Sequence, residues 1–138
     1  QGEQLSLENE EKYVLSQIEN VEKGKSVELL VFAEDKLIGI ANLDLGERTS
    51  RHIAGLGISI AAGFRDEGIG SKFLETVINE GKNNLKGLEI IKLDVFATNQ
   101  RAISLYKKHG FIECGRLPDG VKLENSYDDD ISMYKRIK

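Results

Sequence analysis

The spacing of apolar positions predicts a helix at the start of the chain. Val14, Ile18 and Val21 recur at intervals of three and four residues, which is the period of one helical face. Ser6 precedes a run of glutamates, and both features favour the first turn of a helix. We therefore predict a helix over residues 7–23 that ends at Gly24.

Beyond Gly24, apolar runs separated by polar turns predict six strands and two more helices. The predicted strands, rich in β-branched and apolar residues, are Val27–Phe32, Leu37–Leu45, Ile53–Ala61, Glu89–Val95, Phe111–Leu117 and Ile131–Arg136. The third of them is apolar almost throughout, which predicts burial on both faces. The two helices are predicted by inward faces at Ile69, Phe73, Leu74, Val77 and Ile78, and at Ala102, Leu105 and Tyr106. Pro118 is expected to break the fifth strand, and a polar loop is predicted from there to Asp130.

The order of these elements predicts the fold class. A helix, three strands, a helix, a strand, a helix and two strands give an α/β domain with one mixed sheet. The length of 138 residues, without repeats, linkers or low-complexity tracts, predicts a single domain that spans residues 1–138.

Composition and charge argue against several functions. The net charge of −4 argues against a nucleic-acid partner, because phosphate binding needs clustered cations. No apolar run reaches the length of a membrane span, so no membrane partner is expected. Cys114 is the single cysteine, and the two histidines, His52 and His109, lie at no metal-ligand spacing from it. We therefore predict no disulfide, no metal and a cytoplasmic location.

A glycine-containing loop joins the third strand to the helix that follows. Gly63, Gly68 and Gly70 would let the backbone approach a ligand, and the first N–H groups of the helix have no partners within it. With the helix dipole and the nearby Arg65, these groups suit a pyrophosphate. The spacing does not match the G-x-G-x-x-G dinucleotide fingerprint, so a strand-to-helix turn that binds nothing is an equally open alternative.

Two motifs, in this order, resemble those of the GCN5-related N-acetyltransferase (GNAT) family. Arg65, Gly68 and Gly70 match the family's R-x-x-G-x-G acetyl-CoA signature after an apolar strand. The segment 99–111 matches six positions of the family's N-x-x-A-x-x-L-Y-x-x-x-G-F motif. The resemblance implies a single mixed, mostly antiparallel sheet flanked by helices, and it predicts that the family's opening strand and first helix are missing from this chain.

The resemblance also implies acetyl-CoA as a co-substrate. The end of the third strand is expected to offer backbone groups to the pantetheine arm, and the loop after it to wrap the pyrophosphate. Asn99, a helix N-cap by its sequence position, is expected to bond a pantetheine amide. The implied cofactor-binding residues are Ile58, Ser59, Ile60, Arg65, Asp66, Glu67, Gly68, Ile69, Gly70, Ser71 and Asn99. Asp66 and Glu67 depart from the family, which often has glycine and a basic residue there, and their carboxylates would repel a pyrophosphate unless they point away.

The same resemblance implies the catalytic residues. Tyr106 would protonate the departing CoA thiolate, although a tyrosine on an apolar helix face is usually a core residue. Asp94 matches the glutamate base of the ribosomal-protein N-terminal acetyltransferases, a branch that this chain resembles. The alternatives to it are a surface aspartate, a water chain to solvent, or Glu113 as the base. A backbone N–H near Ile60 would stabilise the oxyanion. Cys114 has no partner base, so we reject a thiol nucleophile.

The sequence leaves the amine acceptor open. The implied reaction acetylates a primary amine, either a small molecule or a protein N-terminus, and the oligomeric state is open as well. The acidic segment Glu124–Asp130 lies near the implied acceptor entrance and is expected either to steer cationic amines or to be a solvated turn. The rival functions are a non-catalytic acetyl-CoA-binding sensor, which would use the same loop, and a protein-interaction domain built on the charged first helix.

Overall fold

The computed structural model of the chain describes the backbone of residues 4–7 and 10–19, and both backbone and side chains of residues 24–65 and 68–138. The strands are β1 (Gln4–Leu7), β2 (Glu10–Glu19), β3 (Ser26–Ala33), β4 (Lys36–Leu45), β5 (Ile53–Ile60), β6 (Ile90–Phe96), β7 (Ile112–Lys122) and β8 (Tyr127–Arg136). The helices are α1 (Ile69–Asn84) and α2 (Gln100–Lys108), with short 3₁₀ turns at Arg48–Ser50 and Ala62–Phe64.

All eight strands form one sheet in the order β1-β2-β3-β4-β5-β6-β8-β7. Every pairing is antiparallel except that of β5 with β6, which is parallel. A parallel neighbour requires a crossover connection, and α1 provides it between these two strands. The sheet confirms the predicted single mixed, mostly antiparallel architecture.

One face of the sheet carries the hydrophobic core. Burial alternates strictly along β3, so that every second side chain faces inward as the two-residue period of a strand requires. Helix α1 contributes Phe73, Leu74 and Val77 to the same core, and α2 contributes Ile103 and Tyr106. A Cβ at Gly81 would lie 2.6 Å from Leu43 Cδ1, so this glycine lets α1 lie close against β4.

The predicted N-terminal helix over residues 7–23 is wrong where the structure describes the segment. Residues 10–19 are strand β2, which pairs with β3 in a continuous register from Tyr13 opposite Ala33 to Glu19 opposite Val27. The four-residue interval between Val14 and Ile18 equals two strand repeats as well as about one helical turn. Both are β-branched residues that favour strands, and the neighbouring β3 supplies the hydrogen bonds. Positions 8, 9 and 20–23 of the prediction lie outside the described residues.

The break predicted at Pro118 and the loop predicted up to Asp130 are also wrong. Strand β7 continues to Lys122 through an irregularity in its pairing with β8 between Leu117 and Val121, which accommodates the proline. A proline is tolerated there because β7 is the edge strand of the sheet. Strand β8 begins at Tyr127, so the acidic residues after it belong to the sheet.

The sheet opens between β5 and β6. Their parallel pairing covers only residues 53–55 of β5 and 90–92 of β6. Beyond that point β5 stays with β4 as far as Ile60, and β6 stays with β8 as far as Phe96, so the two strands separate. We call the space between residues 56–60 and 93–96 the gap. It explains why β5, predicted to be buried on both faces, is fully buried only at Ala54.

Candidate functional site

A cavity of about 670 Å³ lies where the end of β5, the start of α1 and one face of α2 meet. Its lining residues are Ile58, Ser59, Ile60, Ala62, Arg65, Gly68, Gly70, Ser71, Asn99, Arg101, Ala102, Leu105, Tyr106 and Lys108. The volume falls in the range of pockets for small-molecule ligands, roughly 300–1,000 Å³. A second cavity, of about 570 Å³, lies at the other end of α1 and contains none of the predicted site residues.

The start of α1 is built to receive an anion. Gly68 adopts φ +76°, a left-handed conformation that favours glycine, and it directly precedes the first helical residue, Ile69. No side chain of a described residue caps this end, so the first-turn N–H groups are available to a ligand. A Cβ at Gly70 would touch Leu105 and Ile60 at ordinary contact distances of 3.4 and 3.6 Å, which places Gly70 against the wall of the cavity.

Cationic side chains line the cavity although the chain as a whole is acidic. Arg65, whose Nε donates to the Ile60 carbonyl oxygen at 2.9 Å, is joined by Arg101 and Lys108 from α2. The described lining residues include no carboxylate. The sequence analysis missed Arg101 and Lys108. Their seven-residue spacing, about two helical turns, puts both on one face of α2 and could have revealed them.

Asn99 occupies the N-cap of α2 as predicted. Its Oδ1 accepts a hydrogen bond from the Ala102 backbone N–H at 3.2 Å. The preceding turn is held by the buried Asp128, whose Oδ2 accepts from the Thr98 hydroxyl at 2.6 Å and from the Thr98 N–H at 3.2 Å. The Thr98 hydroxyl bond is the main cause that holds the pKa of Asp128 below its usual range. The loop that presents Asn99 to the cavity is therefore tied to β8.

Tyr106 belongs to the core and to the cavity wall at once. It is buried, it lines the cavity, and its ring lies 5.7 Å from that of Phe111, measured between centroids. Burial raises the pKa of its phenol, so the hydroxyl keeps its proton at neutral pH. The geometry is therefore compatible with Tyr106 both as a core residue and as a proton donor to the CoA thiolate.

Asp94 lies outside this cavity, on the opposite face of the sheet. Along β6 it alternates with Leu93 and Val95, which are buried in the core on the helix side. The carboxylate is exposed, and its Oδ1 accepts a hydrogen bond from the Ser132 hydroxyl of β8 at 2.7 Å. Because the gap runs along this part of β6, Asp94 borders it on one face while Tyr106 lies on the other.

The remaining predicted residues fall into three groups. Ile69 is 1% exposed and packs into the core, so only its backbone is suited to bind a ligand. Asp66 and Glu67 lie outside the described residues. Glu113, the outsider for the base, is exposed on the edge strand β7.

Two carboxylates of the acidic segment 124–130 have partners within the protein. Asp128 is bonded to Thr98, and Asp129 Oδ2 accepts from Arg116 Nε at 2.8 Å in an ion pair. Arg116 comes from β7, which is why the local sequence showed no compensating cation.

One contact in the cavity was not anticipated from the sequence. The Ser71 hydroxyl lies 2.8 Å from Nε2 of His109, the residue that follows α2.

In the described part of the chain, no group of three or more His, Cys, Asp and Glu side chains is arranged to hold a metal. Neither described helix is both long and apolar enough to cross a membrane.

Comparison with known proteins places this geometry in a family. The sequence model of the Acetyltransferase (GNAT) family matches residues 3–111. The chain is similar to the L-amino acid N-acetyltransferase AaaT of Escherichia coli K12, with 31% identity over 85 residues that make up 61% of this chain and 52% of the relative. This chain thus spans about half the length of that relative.

Solved structures show the same fold. A GNAT-family acetyltransferase from Streptococcus pneumoniae aligns with a TM-score of 0.78 and 34% identity, covering 83% of this chain and 68% of that chain. The structure of yncA from Salmonella typhimurium with its cofactor acetyl-CoA aligns with a TM-score of 0.75 and 16% identity, covering 82% and 65% of the two chains. Since the family model spans most of the sequence and the fold agrees with it, the chain belongs to the GNAT acetyltransferase family.

Proposed function

We propose that this domain transfers the acetyl group of acetyl-CoA to a primary amine by direct attack in a ternary complex. The observation that carries the proposal is that one cavity is lined by the uncapped start of α1, by residues 58–60 at the end of β5, which border the gap, and by Tyr106. A ligand with a phosphate end and a long, thin arm fits this shape and charge.

The described residues fit acetyl-CoA along its length. The backbone N–H groups at the start of α1, with Arg65, suit the pyrophosphate, and Arg101 and Lys108 add positive charge on the opposite wall. The end of β5 has a strand neighbour on its β4 side only, so backbone groups of residues 58–60 that face the gap can bond the amides of the pantetheine arm. Asn99, held at its N-cap position, lies on the other side of the arm.

Two side chains flank the gap and divide the proton transfers between them. The amine nitrogen forms a bond to the thioester carbon while Asp94, directly or through one water, takes the proton that the nitrogen loses. A backbone N–H at the end of β5 stabilises the oxyanion. The carbon–sulfur bond then breaks, and Tyr106 donates its proton to the departing thiolate. Most of the rate arises from holding the two reactants together.

The acceptor is proposed to approach from the Asp94 face of the sheet. The cofactor cavity lies on the helix face, so the opposite face gives the amine its own route to the gap. The relative from Escherichia coli is named for L-amino acids. The α-amine of an amino acid and that of a protein N-terminus present the same attacking group, and both belong in the first set of acceptors to test.

The test of this function is thiol release from acetyl-CoA in the presence of a panel of amines: free L-amino acids, short peptides with free N-termini and polyamines. We expect amine-dependent release by the wild type, with the acetylated product identified by mass spectrometry, and none by a folded Gly70→Glu variant. A protein that binds acetyl-CoA but releases no thiol with any acceptor class would instead support the sensor function. A folded protein that does not bind acetyl-CoA would refute the proposal.

A further inference from the structure

A serine–histidine contact joins the two helices at the phosphate end of the cavity. Ser71 is the third residue of α1 and lines the cavity, and its hydroxyl lies 2.8 Å from Nε2 of His109 at the end of α2. The two residues are far apart in sequence, and both are partly buried. The contact therefore links the start of α1, where the pyrophosphate is proposed to bind, to the residue that follows α2.

What Ser71 can offer to a ligand depends on which of the two side chains donates the hydrogen bond between them. A serine hydroxyl has one hydrogen, whereas a neutral imidazole carries its hydrogen on either Nδ1 or Nε2. If Ser71 donates to Nε2, its oxygen presents only lone pairs to an anion. If Nε2–H donates to Ser71, the hydroxyl hydrogen is free to point into the cavity. Only the second arrangement adds a hydrogen-bond donor to the first-turn N–H groups of α1.

The His109 backbone is held on both sides, and the contact of its ring with Ser71 leaves the position of the imidazole hydrogen open. The His109 backbone N–H bonds the carbonyl oxygens of Leu105 and Tyr106, and its own carbonyl accepts from Lys135 Nζ at 2.9 Å. Burial lowers the pKa of His109 below the usual histidine value, while Glu75 opposes this effect, and Lys108 and Lys135 add to it. The free protein therefore holds a neutral ring at neutral pH, with its tautomer open.

We infer that His109 donates from Nε2 to Ser71 in the cofactor complex and so directs the Ser71 hydroxyl at the pyrophosphate. His109 is thus a positioning residue for acetyl-CoA, and the inference rests on the function proposed above. From the sequence, His109 is expected to be a surface or core histidine and not a metal ligand, and nothing there indicates this contact.

The arrangement predicts that binding and protonation are coupled. An imidazolium is an obligate Nε2 donor, and its charge lies one hydroxyl away from the anionic ligand. Affinity for the pyrophosphate therefore rises as the pH falls through the pKa of His109, and ligand binding raises that pKa in return. A shift of one pKa unit corresponds to about a tenfold change in affinity.

The direct readout is ¹⁵N NMR of the imidazole nitrogens in the whole protein, free and saturated with dephospho-CoA. His52→Gln assigns the signals, since the chain has two histidines. We expect the bound His109 ring to carry hydrogen on Nε2. A bound ring that carries hydrogen on Nδ1 alone would overturn the inference without any variant having been made at the site.

The second readout is calorimetric affinity for dephospho-CoA between pH 8 and pH 5.5. This ligand lacks the monoester phosphate, whose second pKa near 6 would otherwise obscure the result. We expect the wild type to gain affinity about three- to tenfold over this range, as does His52→Gln. His109→Gln, whose amide N–H can replace Nε2–H, should bind with little change in affinity across the range. Ser71→Ala should bind more weakly than the wild type at every pH, because it lacks the hydroxyl donor whatever the charge of His109.

The two proposals fail in distinguishable ways. If the affinities of the wild type and of His109→Gln change equally with pH while Gly70→Glu abolishes binding, the positioning role of His109 is wrong and the cofactor site stands. If the folded wild type binds neither CoA nor dephospho-CoA, both the proposed function and the positioning role of His109 are wrong.

Discussion

At the scale of single residues, the proposed acid, Tyr106, and the proposed base, Asp94, lie on opposite faces of the sheet. Leu93 and Val95 face the core, where Tyr106 lies, and Asp94 between them faces the other way. Tyr106 on α2 and Asp94 on β6 therefore lie on opposite faces of the sheet, and in the proposed mechanism both reach the thioester through the gap. Each group has its own environment, since burial keeps the tyrosine protonated while the carboxylate is exposed.

Tyr106→Phe should lower kcat by about 10²–10⁴-fold while acetyl-CoA affinity stays within about twofold, because the hydroxyl acts mainly in the transition state. Loss of the hydroxyl leaves the ring contact with Phe111 in place. Steady-state kinetics and calorimetry measure the two quantities. Tyr134→Phe, on β8, serves as the matched control. Unchanged turnover in Tyr106→Phe would reduce this residue to a core side chain.

Asp94→Asn should reduce kcat on the acceptor by a similar factor without weakening acetyl-CoA binding, since the carboxylate lies outside the cofactor cavity. The asparagine Oδ1 can still accept the Ser132 hydroxyl, so the local geometry is kept. Glu113→Gln, on the exposed edge strand, is the control for a general loss of negative charge. Wild-type turnover in Asp94→Asn would show that Asp94 is not the base, and loss of turnover in Glu113→Gln would make Glu113 the base instead.

At the scale of elements, the beginnings of α1 and α2 do the positioning. Helix α1 follows a left-handed Gly68 and offers its N–H groups to an anion, while α2 begins at an Asn99 cap that Asp128 anchors from β8. Both helices start beside the gap because β5 and β6 end there. The split sheet and the two helix starts thus lie together at the cavity proposed to bind acetyl-CoA.

Gly70→Glu should lower CoA affinity by about a hundredfold or more, because the new carboxylate would enter the pyrophosphate site, repel the ligand and compete with it for the cationic side chains. Gly70→Ala is the steric control, since its methyl would meet Leu105 and Ile60 at ordinary contact distances. Calorimetry on the two folded variants separates charge from volume. Wild-type affinity in Gly70→Glu would show that the pyrophosphate lies elsewhere.

Asp128→Asn should destabilise the protein at pH 7 and do so less at pH 3. The folded-state pKa of Asp128 is lowered, chiefly by the Thr98 hydroxyl, so its contribution is fully present above the usual carboxyl range. The contribution is lost as the pH falls through that lowered value. Urea-denaturation midpoints of wild type, variant and the exposed-loop control Glu124→Gln check this. An equal effect of Asp128→Asn at both pH values would contradict it.

At the scale of the whole molecule, the local sequence pattern predicted those strands and helices whose formation depends mainly on neighbouring residues. The strands from Val27 onward and both helices agree with their apolar periodicity, and Asn99 caps α2 as its type suggests. The errors arise where distant segments decide the structure. Val14 and Ile18 form a strand because β3 pairs with them, and Pro118 is accommodated because β7 has a free edge. The Thr98–Asp128 bond joins residues thirty positions apart, which no local window could show.

The candidate site likewise combines features that the local sequence predicts with features that depend on distant segments. The glycine loop and Tyr106 could be predicted because they belong to motifs of fixed spacing. The helical spacing of Arg101 and Lys108 places both on one face of α2, but only the packing of α2 beside α1 makes that face a wall of the cavity. The His109 contact with Ser71 joins residues 38 positions apart, so no local pattern could show it.

A crystal structure of the acetyl-CoA complex tests the central claim most directly. The account predicts the pyrophosphate on the N–H groups of residues 68–71, and the pantetheine arm in the gap beside residues 58–60. The thioester sulfur should lie within hydrogen-bond reach of the Tyr106 hydroxyl, and the carbonyl carbon should be accessible from the Asp94 face of the sheet. A cofactor bound outside the gap, or a thioester beyond the reach of Tyr106, would contradict the account.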